Sequence, residues 1–448
     1  MLEFDLCVHP GRRYLMRRDG APFFYLGDTV WELFHRLTFE ESDHYLTTRA
    51  AQGFTVVQAV VLAELDGLRV PNANGDLPLI DLDPRRPNEA YFAHIDRVVA
   101  RANRLGIVVG MLPTWGDKYN SSQWGVGPEI FDADNAVDWG RFLGDRYGDA
   151  GVIWILGGDR PLTEPRHVDV NRGLAKGIRA SRAKSQLITF HPCGGQTSSQ
   201  YFHHEEWLDF NMAQTGHRID RDNYNRIAQD YALEPVKPCL DGEPGYEDHK
   251  SDFREDQPYM DDTHVRKFAY WALFAGAHGH TYGAHGVWQC WDETRDQVSW
   301  VRTTWRDSLN LPGGNQMRHV RRLIESRPFF ARVPDQRLIA SDTRPGPDHI
   351  RACRHDEGDY AFVYSATGQP FRLDFRRLGP GAYTACWYDP RTGEFGATLP
   401  VESDEFEPPD FGAGLRLGAR RRPGLTASVQ RPPRSSPPRI PRTRLRPS

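Results

Sequence analysis

The sequence predicts an α/β protein: a (β/α)8 TIM barrel followed by a small antiparallel β-sandwich. Three observations predict it. Eight short apolar runs recur through the first 330 residues, each ending in polar or aromatic residues. Amphipathic stretches at helical spacing separate most of them. Beyond residue 330 the texture changes to short alternating runs, broken by turn signals such as Glu357-Gly358-Asp359 and Asp389-Pro390-Arg391-Thr392-Gly393. Near-continuous apolar strands alternating with one-faced helices describe a parallel sheet covered by helices, and eight repeats favour closure over an open sheet. A doubly wound fold normally carries a glycine-rich phosphate loop after its first strand; Gly27-Asp28-Thr29 lacks that spacing.

Taken in order, the first run is Phe23 to Gly27, ending at Asp28, Trp31 and Glu32. The second spans 54–62 and carries Gln58; the third, 107–112, leads into Pro113-Thr114-Trp115-Gly116-Asp117. The fourth, 152–156, precedes Gly157-Gly158-Asp159, and the fifth, 187–190, precedes His191-Pro192. The sixth, 210–213, precedes Gln214-Thr215-Gly216-His217, and the seventh, 236–240, precedes Asp241-Gly242-Glu243-Pro244. A weaker eighth lies near 278–283. Helices are predicted over 39–52, 89–105, 135–147, 168–180, 222–232 and 263–275; in the second of these Tyr91, Ile95, Val98, Val99 and Ala102 share one face. In the sandwich, strands are predicted at 349–354, 359–364, 371–375 and 382–388, with a terminal strand near 411–418.

This divides the chain into a barrel over 1–330, a β module over 331–418 and an Arg/Pro-rich tail over 419–448. The tail holds nine Arg, seven Pro and no acid, and cannot bury enough surface to order itself. It reads either as a basic anchor or as a frameshifted end, without a catalytic part. Because the formal net charge is −4 with that tail included, the body is acidic, which argues against nucleic acid as a partner. No apolar run approaches the roughly 18 residues that span a bilayer, so no membrane partner is expected. The first 20 residues carry charges throughout, so the chain as given reads as cytoplasmic, or as periplasmic or secreted if a leader precedes it. Six cysteines lie far apart, with no CxxC, and read as reduced thiols.

In such a barrel the one surface fed by all strands is their C-terminal end. Asp28, Gln58, Trp115, Asp159, His191, Gln214 and Glu243 stand at these ends, a polar rim mixed with tryptophan. Asp159 follows the fourth strand and Glu243 the seventh, which face each other across the barrel. Glycosyl transfer to water needs such a pair: one acid protonates the leaving oxygen while the other attacks or activates water, close spacing giving retention and wider spacing inversion. Taken singly, Asp159 could be a helix cap and Glu243 an arginine partner; the alternative function is a catalytically inactive carbohydrate-binding barrel, with the acids too far apart or blocked by arginines. Asp28, Glu32 and His35 read as a group that binds sugar hydroxyls, and Glu64 and Asp117 have similar standing. His191 and His217 read as hydrogen-bond donors to substrate or to a catalytic carboxylate. Trp31, Trp115, Trp124, Trp288 and Trp291, with Gln289 and Gln214, offer flat faces and amides to a sugar ring. No HExxH is present, and neither a metal nor a cofactor is expected.

These stretches carry a resemblance. Residues 23–37, Leu112-Pro113-Thr114-Trp115-Gly116-Asp117-Lys118, Ile153-Trp154-Ile155-Leu156-Gly157-Gly158-Asp159, Thr189-Phe190-His191-Pro192, Asp241-Gly242-Glu243-Pro244 and Gly279-His280-Thr281-Tyr282-Gly283 resemble the apiosidase-like catalytic domain, a bacterial glycoside hydrolase family of the large clan of retaining (β/α)8 enzymes. The resemblance implies that Asp159 is the general acid/base and Glu243 the nucleophile of a double displacement. It places Tyr282 in a matching stretch, and it implies a plant-type oligosaccharide as substrate, with release of apiose from pectic side chains as its first candidate. In the wider clan the acid/base is usually a Glu after an Asn. Here Gly157-Gly158-Asp159 supplies a shorter side chain, which must reach by a shifted backbone or a closer approach. Residues 331–418 resemble the β module, named for collagen binding, that follows this domain in many relatives. That module reads as a cover for apolar helix surface.

Overall fold

The structure, a computed structural model, describes residues 4–409 and 414–419. Eight parallel strands form the central wall: β1 (Tyr25–Thr29), β2 (Val56–Val60), β3 (Val108–Leu112), β4 (Val152–Gly157), β5 (Ile188–His191), β6 (Asn211–Gln214), β7 (Cys239–Asp241) and β8 (Gly279–Tyr282). Their ladder runs β5-β4-β3-β2-β1-β8-β7-β6, so the fourth and seventh strands, expected to face each other across the barrel, stand three positions apart around the closed wall with β5 and β6 between them. Between β5 and β6 no ladder forms. Asp209 N–H donates to Ile188 O at 2.9 Å and Thr189 Oγ1 to Phe210 O at 2.7 Å, closing the wall with a seam. Gln196–Thr197 adds an antiparallel pair on β6, so the sheet is mixed.

Side-chain parity divides the wall into two cores, because successive residues of a strand face opposite ways. Val108 and Leu112 of β3 and Ile153 and Ile155 of β4 pack inside the barrel; Val109, Met111, Trp154 and Leu156 pack outward against helices. The helices longer than four residues are α1 (Phe39–Ala51), α2 (Glu89–Arg104), α3 (Ala133–Tyr147), α4 (Pro165–Arg179), α5 (Asn223–Tyr231), α6 (Asp262–Phe274) and α7 (Pro312–Glu325). Reciprocal capping boxes, Thr38 with Glu41 on α1 and Asp132 with Asn135 on α3, satisfy their first amides. A meander of Leu6–Val8, Leu15–Arg17 and Pro22–Phe23 inserts Leu6, Leu15 and Phe23 into the inner core, so the inner core continues into the segment preceding β1.

The β module is antiparallel, with β9 (Arg332–Pro334), β10 (Ile350–His355), β11 (Tyr360–Ser365), β12 (Tyr383–Asp389) and β13 (Gly414–Ala419) in the order β9-β10-β11-β13-β12. Thus the last described segment lies at the middle of its sheet, paired on both sides. The run at 371–375 gives only a two-residue strand, Phe371–Arg372, before a 3-10 turn. On α6 every residue from Val265 to Phe274 is buried, which a surface helix cannot sustain. The β module covers its outer side: Tyr364 stacks on Tyr270 at 4.6 Å, Phe362 on Phe274 at 6.0 Å, and Trp271 Nε1 donates to His349 O at 3.1 Å.

All six cysteines are free thiols. Among the described residues no helix is long and apolar enough to cross a membrane. The Arg/Pro-rich tail beyond Ala419 lies outside the described residues.

Candidate active site

The barrel mouth opens into a cleft of about 850 Å³, lined by Asp159 and Glu243 together with Glu64, Trp31, Trp115 and Trp288. Asp159 reaches it through an unusual backbone. Gly157 (φ 90°), Gly158 (φ 127°) and Asp159 (φ 45°) all lie in the left-handed half of conformational space. A Cβ on Gly157 would stand 2.3 Å from His191 O, and one on Gly158 would stand 2.9 Å from Gly116 N, so both glycines are required. The aspartate itself carries the strain that functional positions often hold. Its Oδ1 accepts Gly194 N–H at 3.2 Å. Helix α4 takes Glu164 as its N-cap, so Asp159 caps nothing.

Burial first, then the neighbouring carboxylates of Glu243 and Glu64, push the Asp159 carboxyl up to about 7, against the opposing pull of Arg160 and His191. Arg160 is buried and works on three sides. It donates to Asp159 O at 2.7 Å and to Trp124 O at 2.9 Å, lies 3.3 Å from Glu64 Oε1, and stacks 4.6 Å over the Trp124 ring. Burial likewise raises Glu64 to about 7, with Arg160 opposing.

Glu243 has the opposite bias. Burial alone raises it, but the close imidazoles of His191 and His217 outweigh that and draw it down to about 2. His217 Nε2 donates to Glu243 Oε1 at 2.9 Å, and His191 Nε2 stands 2.8 Å from Oε2. No arginine lies in ion-pair range of this carboxylate among the described residues. His217 is itself wedged between aromatic rings, 4.3 Å from Tyr246 and 5.2 Å from Phe253. Trp31 packs at 5.1 Å from Trp115 and edge-on to His191 at 5.3 Å, giving the cleft an aromatic wall beside the glutamate. Trp124, 39% exposed, stands at the rim.

Of the residues predicted from the strand ends, the cleft lining brings together Trp31, Glu64, Trp115, Asp159, Gln214, His217, Glu243 and Trp288, with His191 directly behind Glu243. Others lie elsewhere. Asp28 has outward parity and is wholly buried, accepting from Tyr45 OH at 2.6 Å and Arg49 Nε at 2.7 Å. Glu32 accepts Leu65 N–H at 3.1 Å and lies 2.7 Å from His35, whose other ring nitrogen faces Val70 O at 3.1 Å. Gln58 sits inside the barrel below the mouth and donates to Gly242 O at 3.0 Å. Asp117 takes Lys118 Nζ at 2.8 Å and the amides of Val126 and Gly127, shaping the Trp124 loop. Tyr282 faces outward and donates to Glu247 at 2.5 Å, while Gln289 pins Val298 at 3.1 Å. Trp291, also placed on the rim from sequence, donates to Arg295 O at 3.1 Å outside the cleft lining.

The sequence reading missed Arg160, Tyr246, His249, Phe253 and Arg221, all of which belong to the site or its wall. Their one available signal was proximity: Arg160 follows Asp159 directly, and Tyr246 follows Glu243 by three positions. Cys193 also lines the cleft, and burial pushes its thiol up to about 12, away from reactivity.

Residues 9–331 match the family described as "Apiosidase-like, catalytic domain", and residues 333–414 match the "Putative collagen-binding domain of a collagenase". No curated protein matches the chain. Among solved structures, one described as a glycoside hydrolase is 30% identical, covering 92% of this chain and 96% of its own, with a TM-score of 0.84. A glycoside hydrolase family 5 protein from Bacteroides vulgatus is 31% identical, covering 92% of this chain and 93% of its own, also at 0.84. A family 5 mannosidase from Rhizomucor miehei, 13% identical over 72% of this chain and 98% of its own with a TM-score of 0.52, shares the fold alone. The family match spans the whole barrel that carries the cleft, so the chain belongs to the apiosidase-like glycoside hydrolases and is an O-glycosyl hydrolase.

Proposed function

We propose a retaining double displacement in which Glu243 is the nucleophile and Asp159 the acid/base. The supporting observation is two carboxyls of one cleft in opposite settings: Glu243 lies 2.8 and 2.9 Å from two imidazoles that draw it down, whereas Asp159 accepts one backbone N–H and is pushed up by burial and by Glu243. Environments that push paired carboxyls apart in this way mark a proton donor and an anion. Glu243 attacks the anomeric carbon as the bond to the leaving oxygen breaks, and Asp159 gives that oxygen its proton. The ionised Asp159 then takes a proton from water, which attacks the same carbon and releases Glu243. Arg160 positions Asp159 through its backbone carbonyl; His191 and His217 hold Glu243 ionised.

The substrate we propose is a plant-type oligosaccharide, with apiose-terminated pectic side chains tested first. The tryptophan wall supports a ring-bearing ligand, and the cleft volume accommodates a few sugar units. Loop contacts such as those of Trp124 and Arg221 set the sugar. Release from a panel of pectic and hemicellulosic oligosaccharides, with NMR of the first anomer formed, tests both parts. Glu243→Gln should lower kcat by about 10⁴-fold or more while binding persists. Asp159→Ala should cost about 10²- to 10⁴-fold on poor leaving groups and far less on activated aryl glycosides. Equal loss on both classes, or an inverted first product, would overturn the assignment.

A further inference from the structure

Outside the cleft lining, the turn joining β10 to β11 gathers three side chains of metal-ligand type. His355 ends β10, and Glu357 and Asp359 follow at alternate positions, with Gly358 (φ 85°) folding the chain back on itself. One donor atom from each lies within 4.8 Å of the other two. The acids are exposed, but His355 is only 7% exposed and its Nδ1 has no hydrogen-bond partner. That nitrogen stands 3.6 Å from Asp359 Oδ2, too far for a hydrogen bond. Two ligands each about 2.1 Å from a tetrahedral ion lie about 3.4 Å apart, so this gap has the size of an ion between them.

We propose that His355, Glu357 and Asp359 bind a divalent ion of the zinc class. An imidazole beside two carboxylates suits zinc, whereas calcium and magnesium prefer all-oxygen sets. Three protein ligands leave a fourth position to water. The turn is also where the β module grips the chain leaving the barrel. Asp356 N–H donates to Ala331 O at 2.8 Å, Tyr360 OH donates to Pro328 O at 2.9 Å, and Gly358 lies against Leu378 and Gly379. An ion here ties the turn down and stabilises that junction, since binding to the folded chain alone raises its stability.

The test uses the full chain stripped with EDTA and titrated calorimetrically with ZnCl2, CaCl2 and MgCl2. The wild type is compared with the double variant Glu357→Gln/Asp359→Asn, whose exposed positions leave folding intact, and circular dichroism verifies this. Since the chain has 17 histidines, the reading is the difference between the two proteins. We expect a zinc site in the wild type that the double variant weakens by roughly tenfold or more, a rise in Tm with zinc in the wild type only, and no comparable binding of calcium or magnesium. Superimposable zinc isotherms for the two proteins, or calcium binding as tightly as zinc, would overturn the proposal.

Discussion

On the β1–β2 side of the barrel, Asp28, Glu32, His35 and Gln58 spend their polar atoms on protein partners; on the β4–β7 side, Asp159, His217 and Glu243 turn theirs to one cleft, with His191 behind them. Both sectors have acids, amides and histidines at strand ends. The difference is where each side chain falls relative to the wall. Leu26 packs in the outer core, so Asp28, two residues on, faces α1 and meets Tyr45 and Arg49. Gln58 shares the inward parity of Val56 and Val60 but lies below the mouth. Asp159 and Glu243 stand beyond the last paired residues of β4 and β7, where the chain is free to turn over the axis. Asp28 and Gln58, within their buried strands, organise the scaffold; Asp159 and Glu243, just past theirs, reach the cleft.

That contrast can be broken at three points. The largest expected effect is from Arg49→Ala, which leaves Asp28 buried without its counter-charge. It should cost about 3–5 kcal/mol in chemical denaturation, with kcat/KM per folded molecule unchanged. A large loss of kcat/KM at unaltered stability would return Asp28 to the site. Next, His217→Asn removes a charge-assisted donor from Glu243 and should lower kcat/KM by about 10- to 100-fold. It should also move the acid limb of the pH profile upward, because Glu243 then ionises at higher pH; Tm should change little. The smallest effect is from Gln58→Leu, which loses the bond to Gly242 O. About 1 kcal/mol of stability should be lost and KM left unchanged.

How much of this was legible in the sequence follows from the same geometry. Strand positions, and the placement of Asp159 and Glu243 at the cleft, could be read because apolar runs and the residues after them are local signals. The β13 strand in the middle of its sheet could be placed near the chain's end, but its neighbours could not, since pairing is non-local. The rim sector containing Asp28 was misjudged because parity depends on where pairing starts: β1 runs two residues further, through Asp28 and Thr29, than its apolar run. Arg160 was missed because its role comes from three loops that meet only in the folded chain.

One cleft holds a carboxyl biased to keep its proton beside one biased to lose it. Carbon-13 NMR titration of the side-chain carboxyls, with Asp159→Asn and Glu243→Gln for assignment, measures this without any substrate. Asp159 should titrate well above the ordinary carboxylate range, raised by burial and the Glu243 charge, and Glu243 well below it, held down by His191 and His217. Both carboxyls titrating together near the ordinary value of about 4, or Glu243 as the group that titrates high, would contradict this.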